Sequence, residues 1–194
     1  MERRLNQACW LQYEPNWLSP EAAALAFEQL RTGLSWEQKD IVMFGKHVRQ
    51  PRLIAWAGAL PYRYSHQTLP PREFTAPLTE LLSAVNHFTR CDFNHLLLNR
   101  YRDENDSMGF HADNEPELGP DPIVATLSLG GERLFKLIPV QKSLGQTASM
   151  LLHAGSLLVM RGACQREFRH GIPKSSRPTQ ERISVTFRTL LRAP

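Results

Sequence analysis

From Phe93 onward the chain is a succession of short apolar runs cut by glycine and proline, and that texture restricts it to a β architecture. The runs are Phe93–Tyr101, Ile123–Leu129, Leu134–Ile138, Ser149–Leu152, Ser156–Met160 and Arg182–Leu190, with loops at Glu117–Pro122 and Gln141–Gln146. Strands at this spacing predict a closed or double-sheet fold, best matched by a jelly roll. The last run, Arg182-Ile-Ser-Val-Thr186-Phe-Arg188, alternates strictly. In an extended strand, alternate residues share a face, so Arg182, Thr186 and Arg188 are presented together. Guanidinium groups turned into a β-structure need anions, and a dicarboxylate would supply them.

A second stretch carries the chemistry. Asn99-Arg-Tyr101 leads into His111-Ala-Asp113-Asn114-Glu115, where an imidazole and a carboxylate stand one residue apart. On an extended strand both would point to the same side and converge on one ion. A third ligand is offered by His170 in Phe168-Arg-His170-Gly-Ile-Pro173, followed by turn-forming residues. Two histidines and one carboxylate form the facial triad that leaves positions open on non-haem Fe(II). Of the other histidines, His95 shares a strand face with Asn99 and Tyr101 but has no spaced ligand partner. His47, His66, His87, His95 and His153 are read as structural or surface residues.

Residues 1–92 read as an α-rich part that buttresses the β core of residues 93–194, the whole forming one domain. Ser19-Pro20-Glu21 has the N-cap, first-turn proline and acid of a helix start, with Leu25, Phe27 and Leu30 inward and Gly33 as the stop. A second helix is predicted from near Pro77 to Thr89, with Leu78, Leu81, Leu82, Val85 and Phe88 as its core stripe. Between them, Asp40-Ile-Val-Met43-Phe44-Gly45-Lys46 reads as a hairpin tip. Its Met and Phe either fold into the core or stand exposed for a partner. Tyr62 and Tyr64, two apart on an extended segment, share a face.

A hydrophobic fraction of 42% over 194 residues is enough for one sizeable core. No window approaches the ~20 apolar residues of a membrane span, and the N-terminus lacks the apolar core of a secretory signal. Cys9, Cys91 and Cys164 are scattered and odd in number, which predicts reduced thiols in a cytoplasmic protein. The net charge of +4 favours a polyanionic partner. Exposed members of Lys46, Arg49 and Arg52, and of Lys174, Arg177, Arg182 and Arg188, are the residues to meet phosphates.

Taken in order, Asn99-x-Tyr101, His111-x-Asp113, the distal His170 and Arg182-x5-Arg188 resemble the AlkB family of Fe(II)/2-oxoglutarate dioxygenases, from about Ile41 to Leu191. The resemblance implies a double-stranded β-helix. It implies Fe(II) on His111, Asp113 and His170, and 2-oxoglutarate held by Asn99, Tyr101, Arg182, Thr186 and Arg188, with O₂ at the remaining position. It also implies that an N-methyl group on a damaged base is hydroxylated and lost as formaldehyde while 2-oxoglutarate becomes succinate and CO₂. Glu115 matches the acidic position that meets the base edge, and Tyr62 and Tyr64 match positions lining the base pocket. Met43-Phe44-Gly45 resembles the finger that enters duplex DNA in duplex-preferring members, while Asp106-Ser-Met and Glu115-Pro-Glu-Leu-Gly119 look like members that prefer single strands. Two positions depart from the pattern: Ser184 stands where asparagine is common, and Asn114 where close members carry aspartate. The implied substrate is DNA, single- or double-stranded, with RNA a further class, and a monomer is expected. An iron hydroxylase of a protein or small molecule is the alternative, and a non-enzymatic nucleic-acid-binding module a third reading.

Overall fold

A computed structural model describes residues 1–43, 46–64 and 67–191 of the chain. In chain order its strands and helices begin with β1 (Glu2–Arg4), β2 (Cys9–Glu14), α1 (Pro20–Gly33), β3 (Asp40–Met43), β4 (Lys46–Arg49) and β5 (Leu53–Gly58). There follow β6 (Tyr62–Tyr64), β7 (Gln67–Leu69), α2 (Ala76–Thr89), β8 (His95–Tyr101), β9 (Met108–His111) and β10 (Val124–Gly130). The chain closes with β11 (Arg133–Pro139), β12 (Ala148–Leu152), β13 (Leu157–Gly162), α3 (Cys164–Glu167), β14 (Phe168–Ile172) and β15 (Arg182–Arg188).

Two antiparallel sheets form the frame. The larger runs β1-β2-β13-β10-β15-β8-β5 and the smaller β12-β11-β14-β9. Side chains from both meet in an inner core that includes Leu11, Leu158 and Met160 on one side and Phe135, Leu137 and Phe168 on the other. This is the expected double-stranded β-helix. The other face of the large sheet is covered by α1 and α2, through Ala23, Ala26 and Leu30 from the first helix and Leu78, Leu81 and Val85 from the second.

β15 separates the two layers residue by residue. Ile183, Val185 and Phe187 enter the core under the helices, whereas Arg182, Ser184, Thr186 and Arg188 line the space between the sheets. Ser184 lies opposite Asn99 on β8 and Ser128 on β10. The polar face is therefore completed by its neighbours on both sides.

The helices start where the sequence says. Ser19 caps α1 by accepting a hydrogen bond from the Ala22 amide at 3.2 Å. Their apolar stripes are narrower than predicted. Leu25 is 61% exposed and Phe88 38% exposed, whereas Phe27 and Leu82 pack against the core beside Ala23, Ala26 and Leu30, and Leu78, Leu81 and Val85. The α-rich description of residues 1–92 also needs correction. β2 pairs with β13 and β5 pairs with β8, so both belong to the large sheet.

Cysteine chemistry differs most from expectation. Cys9 and Cys164 are joined in a disulfide across 155 residues, and only Cys91 is free. The β2–β13 pairing sets Cys9 opposite Gly162, two residues before Cys164, which brings the two Cα atoms to 4.8 Å. A pairing created by sheet register leaves no mark in the spacing of the cysteines.

β3 and β4 pair antiparallel, with Met43 opposite Lys46. Phe44 and Gly45 lie outside the described residues, as do the side chains of Met43 and Tyr64.

Candidate metal and cosubstrate site

The small sheet brings the three ligand candidates together. β9 and β14 are antiparallel neighbours with His111 opposite His170, and the two imidazole rings stand 4.4 Å apart. Asp113 completes the group: its Oδ1 is 3.7 Å from His111 Nε2, and its Oδ2 is 4.0 Å from His170 Nε2. One ligand atom from each residue falls within 4.8 Å of the others, which suits a shared ion. The local geometry differs from the simple strand argument. β9 ends at His111, and Asp113 stands beyond it in the following loop, so strand alternation does not place the carboxylate. His170, in turn, lies within a strand.

The hydrogen bonds around the triad favour ligation. His111 donates from Nδ1 to the Gly109 carbonyl at 2.9 Å, which leaves Nε2 for an ion. Arg188 donates from Nη2 to Asp113 Oδ1 at 2.8 Å. The other carboxylate oxygen, Oδ2, is buried without a hydrogen bond. Burial pushes the His170 imidazole down to about 3, and the neighbouring His111 adds to that effect. Burial also lowers His111, with Asp113 opposing. Burial alone would raise Asp113, but Arg188 and the two imidazoles outweigh it and hold the carboxyl well below its usual range. Neutral imidazoles and an ionised carboxylate are the protonation states that bind a metal.

Behind the triad, one cavity is lined by Asn99, Tyr101, Asp113, His170, Arg182, Ser184, Thr186 and Arg188, together with Thr126 from β10. Arg182 is 1% exposed. Its Nη2 donates to Ser128 Oγ at 2.8 Å, and its guanidinium lies 5.2 Å from the centre of the Tyr101 ring. Its Nε and Nη1 carry no hydrogen bond, nor do Nε and Nη1 of Arg188. Buried donors of this kind cost free energy unless an acceptor arrives, and a carboxylate is the acceptor whose geometry matches a guanidinium edge. The residues present thus fit both a metal ion and a dicarboxylate.

Arg52 stands in a basic group whose exposed members were expected to meet phosphates, and it is not one of them. It is buried, and its Nε donates to Asn99 Oδ1 at 2.7 Å. That bond turns the Asn99 amide so that its NH₂ is the group left for the cavity. Arg182 and Arg188 are buried too and face the cavity. Ser128, Arg133 and Gln165 were likewise not legible as site residues. Arg133 supports the rim by donating to the carbonyls of Asp103, Asp106 and Pro173 at 3.1, 2.8 and 2.7 Å.

On the other side of Asp113 lie Glu115 and Tyr62. Burial raises the Glu115 carboxyl, and the Asp113 charge adds to the effect. Glu115 Oε2 is buried with no hydrogen bond, and Glu115 forms no ion pair among the described residues. Tyr62 was matched to a position lining the base pocket. It is instead fully buried, with Arg188 over its ring at 5.5 Å and His95 at 4.8 Å, and it interacts with Glu115. Neither ring face is free. Asn114 is exposed beside these groups.

A profile of the 2OG-Fe(II) oxygenase superfamily matches residues 11–188. The chain is 37% identical over 188 residues to the alpha-ketoglutarate-dependent dioxygenase alkB homolog 3 of Bos taurus, covering 93% of this chain and 66% of that protein. The same protein of Homo sapiens is 36% identical over the same span. The DNA oxidative demethylase ALKBH2 of Arabidopsis thaliana is 33% identical over 198 residues, covering 85% of this chain and 61% of that protein. The chain therefore spans about two thirds of the length of these relatives. A solved structure of OsALKBH1 superposes with a TM-score of 0.60 at 16% identity, over 97% of this chain and all of that one, and shows the same fold.

Fold, triad and buried arginines define an oxygenase scaffold. The chain belongs to the 2OG-Fe(II) oxygenase superfamily and, within it, to the AlkB family. Membership implies Fe(II), 2-oxoglutarate and O₂.

Proposed function

We propose that this chain is an Fe(II)/2-oxoglutarate dioxygenase that removes N-alkyl groups from bases in DNA, such as those of 1-methyladenine and 3-methylcytosine, with RNA as a further substrate. The observation that carries the reading is Arg182. A buried guanidinium with two unsatisfied donors shares one cavity with a His-Asp-His cluster. Relatives named as a DNA oxidative demethylase and as an alpha-ketoglutarate-dependent dioxygenase support the choice of reaction.

His111, Asp113 and His170 would hold the iron, which with 2-oxoglutarate and O₂ supplies the oxidation of the N-methyl carbon that leaves as formaldehyde, yielding succinate and CO₂. Arg182 binds the far carboxylate of 2-oxoglutarate, with Ser128 and Tyr101 fixing the guanidinium and the Asn99 amide adding a donor. Thr186 lines the same wall. Arg188 holds Asp113 Oδ1, so that Oδ2 is the oxygen presented to the ion. Its remaining donors face the same cavity and suit the cosubstrate's metal-side carboxylate.

Glu115 supports a base as the target. Adenine alkylated at N1 and cytosine alkylated at N3 are cations, and each carries an amino group beside the lesion. A carboxylate without an ion-pair partner meets both features, accepting the amino hydrogen bond and balancing the charge. Tyr62 interacts with Glu115.

The test is succinate release measured with a methylated oligonucleotide, an unmethylated one and none, together with the mass of the oligonucleotide. Stoichiometric succinate and loss of the methyl group on the methylated strand alone is the expected result. Turnover that ignores the oligonucleotide would reject a nucleic-acid substrate.

A further inference from the structure

The geometry of the triad poses a question that strand alternation does not answer. Asp113 lies two residues beyond the end of β9, outside the β9–β14 ladder, yet it is 2% exposed and must be held to a fraction of an ångström. Its backbone N–H has no strand partner. We propose that Gln165 is the positioning residue for Asp113, a side chain that acts in place of the missing ladder bond and fixes the carboxylate for the metal. This rests on the reading of His111, Asp113 and His170 as the metal site.

Gln165 is 1% exposed, and its Oε1 accepts a hydrogen bond from the Asp113 N–H at 3.0 Å. The amide can be oriented only one way. Its Nε2 faces the Met160 thioether at 3.5 Å, a weak acceptor with nothing to donate, so the oxygen is the end directed at Asp113. Asp113 is thereby gripped twice, at its backbone by Gln165 and at Oδ1 by Arg188. Together the two bonds hold the backbone and the carboxylate of Asp113, and leave Oδ2 as the oxygen free for an ion.

The turn that carries Gln165 is itself tied down at every residue. Cys164 is bonded to Cys9, Arg166 pairs with Asp121, and Glu167 accepts from Asn6 at 2.8 Å. Directly after it, β14 carries His170. One helical turn thus links the second ligand's loop to the third ligand's strand and anchors both to the N-terminal segment. Partners one step removed from a metal usually matter to its affinity by 10- to 100-fold.

Manganese(II), which does not turn over, serves as the probe, titrated into the metal-free protein and followed by electron paramagnetic resonance. Gln165→Met keeps the volume and removes the acceptor, whereas Gln165→Glu keeps an acceptor at the same reach. The expected result is a loss of manganese affinity of about tenfold or more in Gln165→Met, with Gln165→Glu closer to wild type. Arg31→Ala, which breaks an exposed pair with Glu28 on α1, should bind manganese as wild type does. Wild-type affinity in Gln165→Met would overturn the proposal. So would equal losses in both Gln165 variants that track a lowered unfolding midpoint, the signature of packing alone. Native-state hydrogen exchange of the Asp113 amide in the wild-type, metal-free protein provides a test that needs neither variant nor metal. Slow exchange is expected, and exchange at the rate of an open loop would refute the bond. A wild-type protein that bound no manganese while protecting this amide would place the failure on the metal site and not on Gln165.

Discussion

At the scale of single residues, the site is defined by polar groups whose partners are not supplied by the fold. Arg182 is the extreme case, fully enclosed with two donors unsatisfied. Arg182→Lys keeps the charge but loses the planar fork, so the 2-oxoglutarate concentration for half-saturation should rise by roughly 10-fold or more, as expected for one lost charge-assisted hydrogen bond. Saturation curves for succinate formation would show it, and an unchanged curve would remove Arg182 from the cosubstrate site. His95 makes a different prediction. Its ring is wedged against Gly58 and Tyr62, with Nδ1 lacking a partner, and burial together with nearby Arg188 pushes it down to about 3. The unfolded chain takes up this proton near pH 6.5 and the folded one does not. Stability from His95 is therefore complete above pH ~6.5 and drains away as pH falls towards about 3. Urea midpoints between pH 7 and 4 should fall less steeply in His95→Leu than in wild type, and parallel slopes would contradict this.

Among the elements, the β9–β14 pair decides whether the two imidazoles meet. Gly171 lets the strands approach: a Cβ there would lie 2.8 Å from the Met108 carbonyl oxygen. Gly171→Ala should push β9 away from β14, separate His111 from His170 and lower metal affinity by about tenfold, with the helical layer intact by circular dichroism. Full metal affinity in that variant would mean that the ladder tolerates the methyl. The segment Met43-Phe44-Gly45, between β3 and β4, is proposed as a wedge for duplex DNA. An apolar wedge entering a duplex offsets part of the few kcal/mol needed to unstack a base. Phe44→Ala should then reduce demethylation of a duplex much more than of a single strand. Equal loss on both, with a lower melting temperature, would mark Phe44 as a packing residue.

For the molecule as a whole, the Cys9–Cys164 disulfide joins the start of β2 to α3 across 155 residues. Closing so long a loop restricts the unfolded chain, and removing the bond typically costs about 2–5 kcal/mol. The double variant Cys9→Ser/Cys164→Ser should show that loss in urea unfolding, with a steeper denaturant slope because the released chain exposes more surface. A loss below about 1 kcal/mol would mean that the link adds little to a sheet already closed by β2 and β13.

The sequence by itself determined what local pattern can determine. The alternation of Arg182 to Arg188 assigned each side chain of β15 to its layer, and the caps and apolar spacing located both long helices, because strand and helix periods act over neighbouring residues. It also supplied the ligand set, since His111, Asp113 and His170 could be picked out by residue type and order. Tertiary structure decided everything that depends on residues far apart. It took Asp113 off the strand and gave its amide to Gln165, and it buried Arg52 against Asn99. It hid both faces of Tyr62, added β2 to the large sheet, and joined two cysteines expected to stay reduced. Each of these is a contact between segments tens of residues apart or more, set by sheet register and burial, and neither leaves a period or a spacing for the sequence to display.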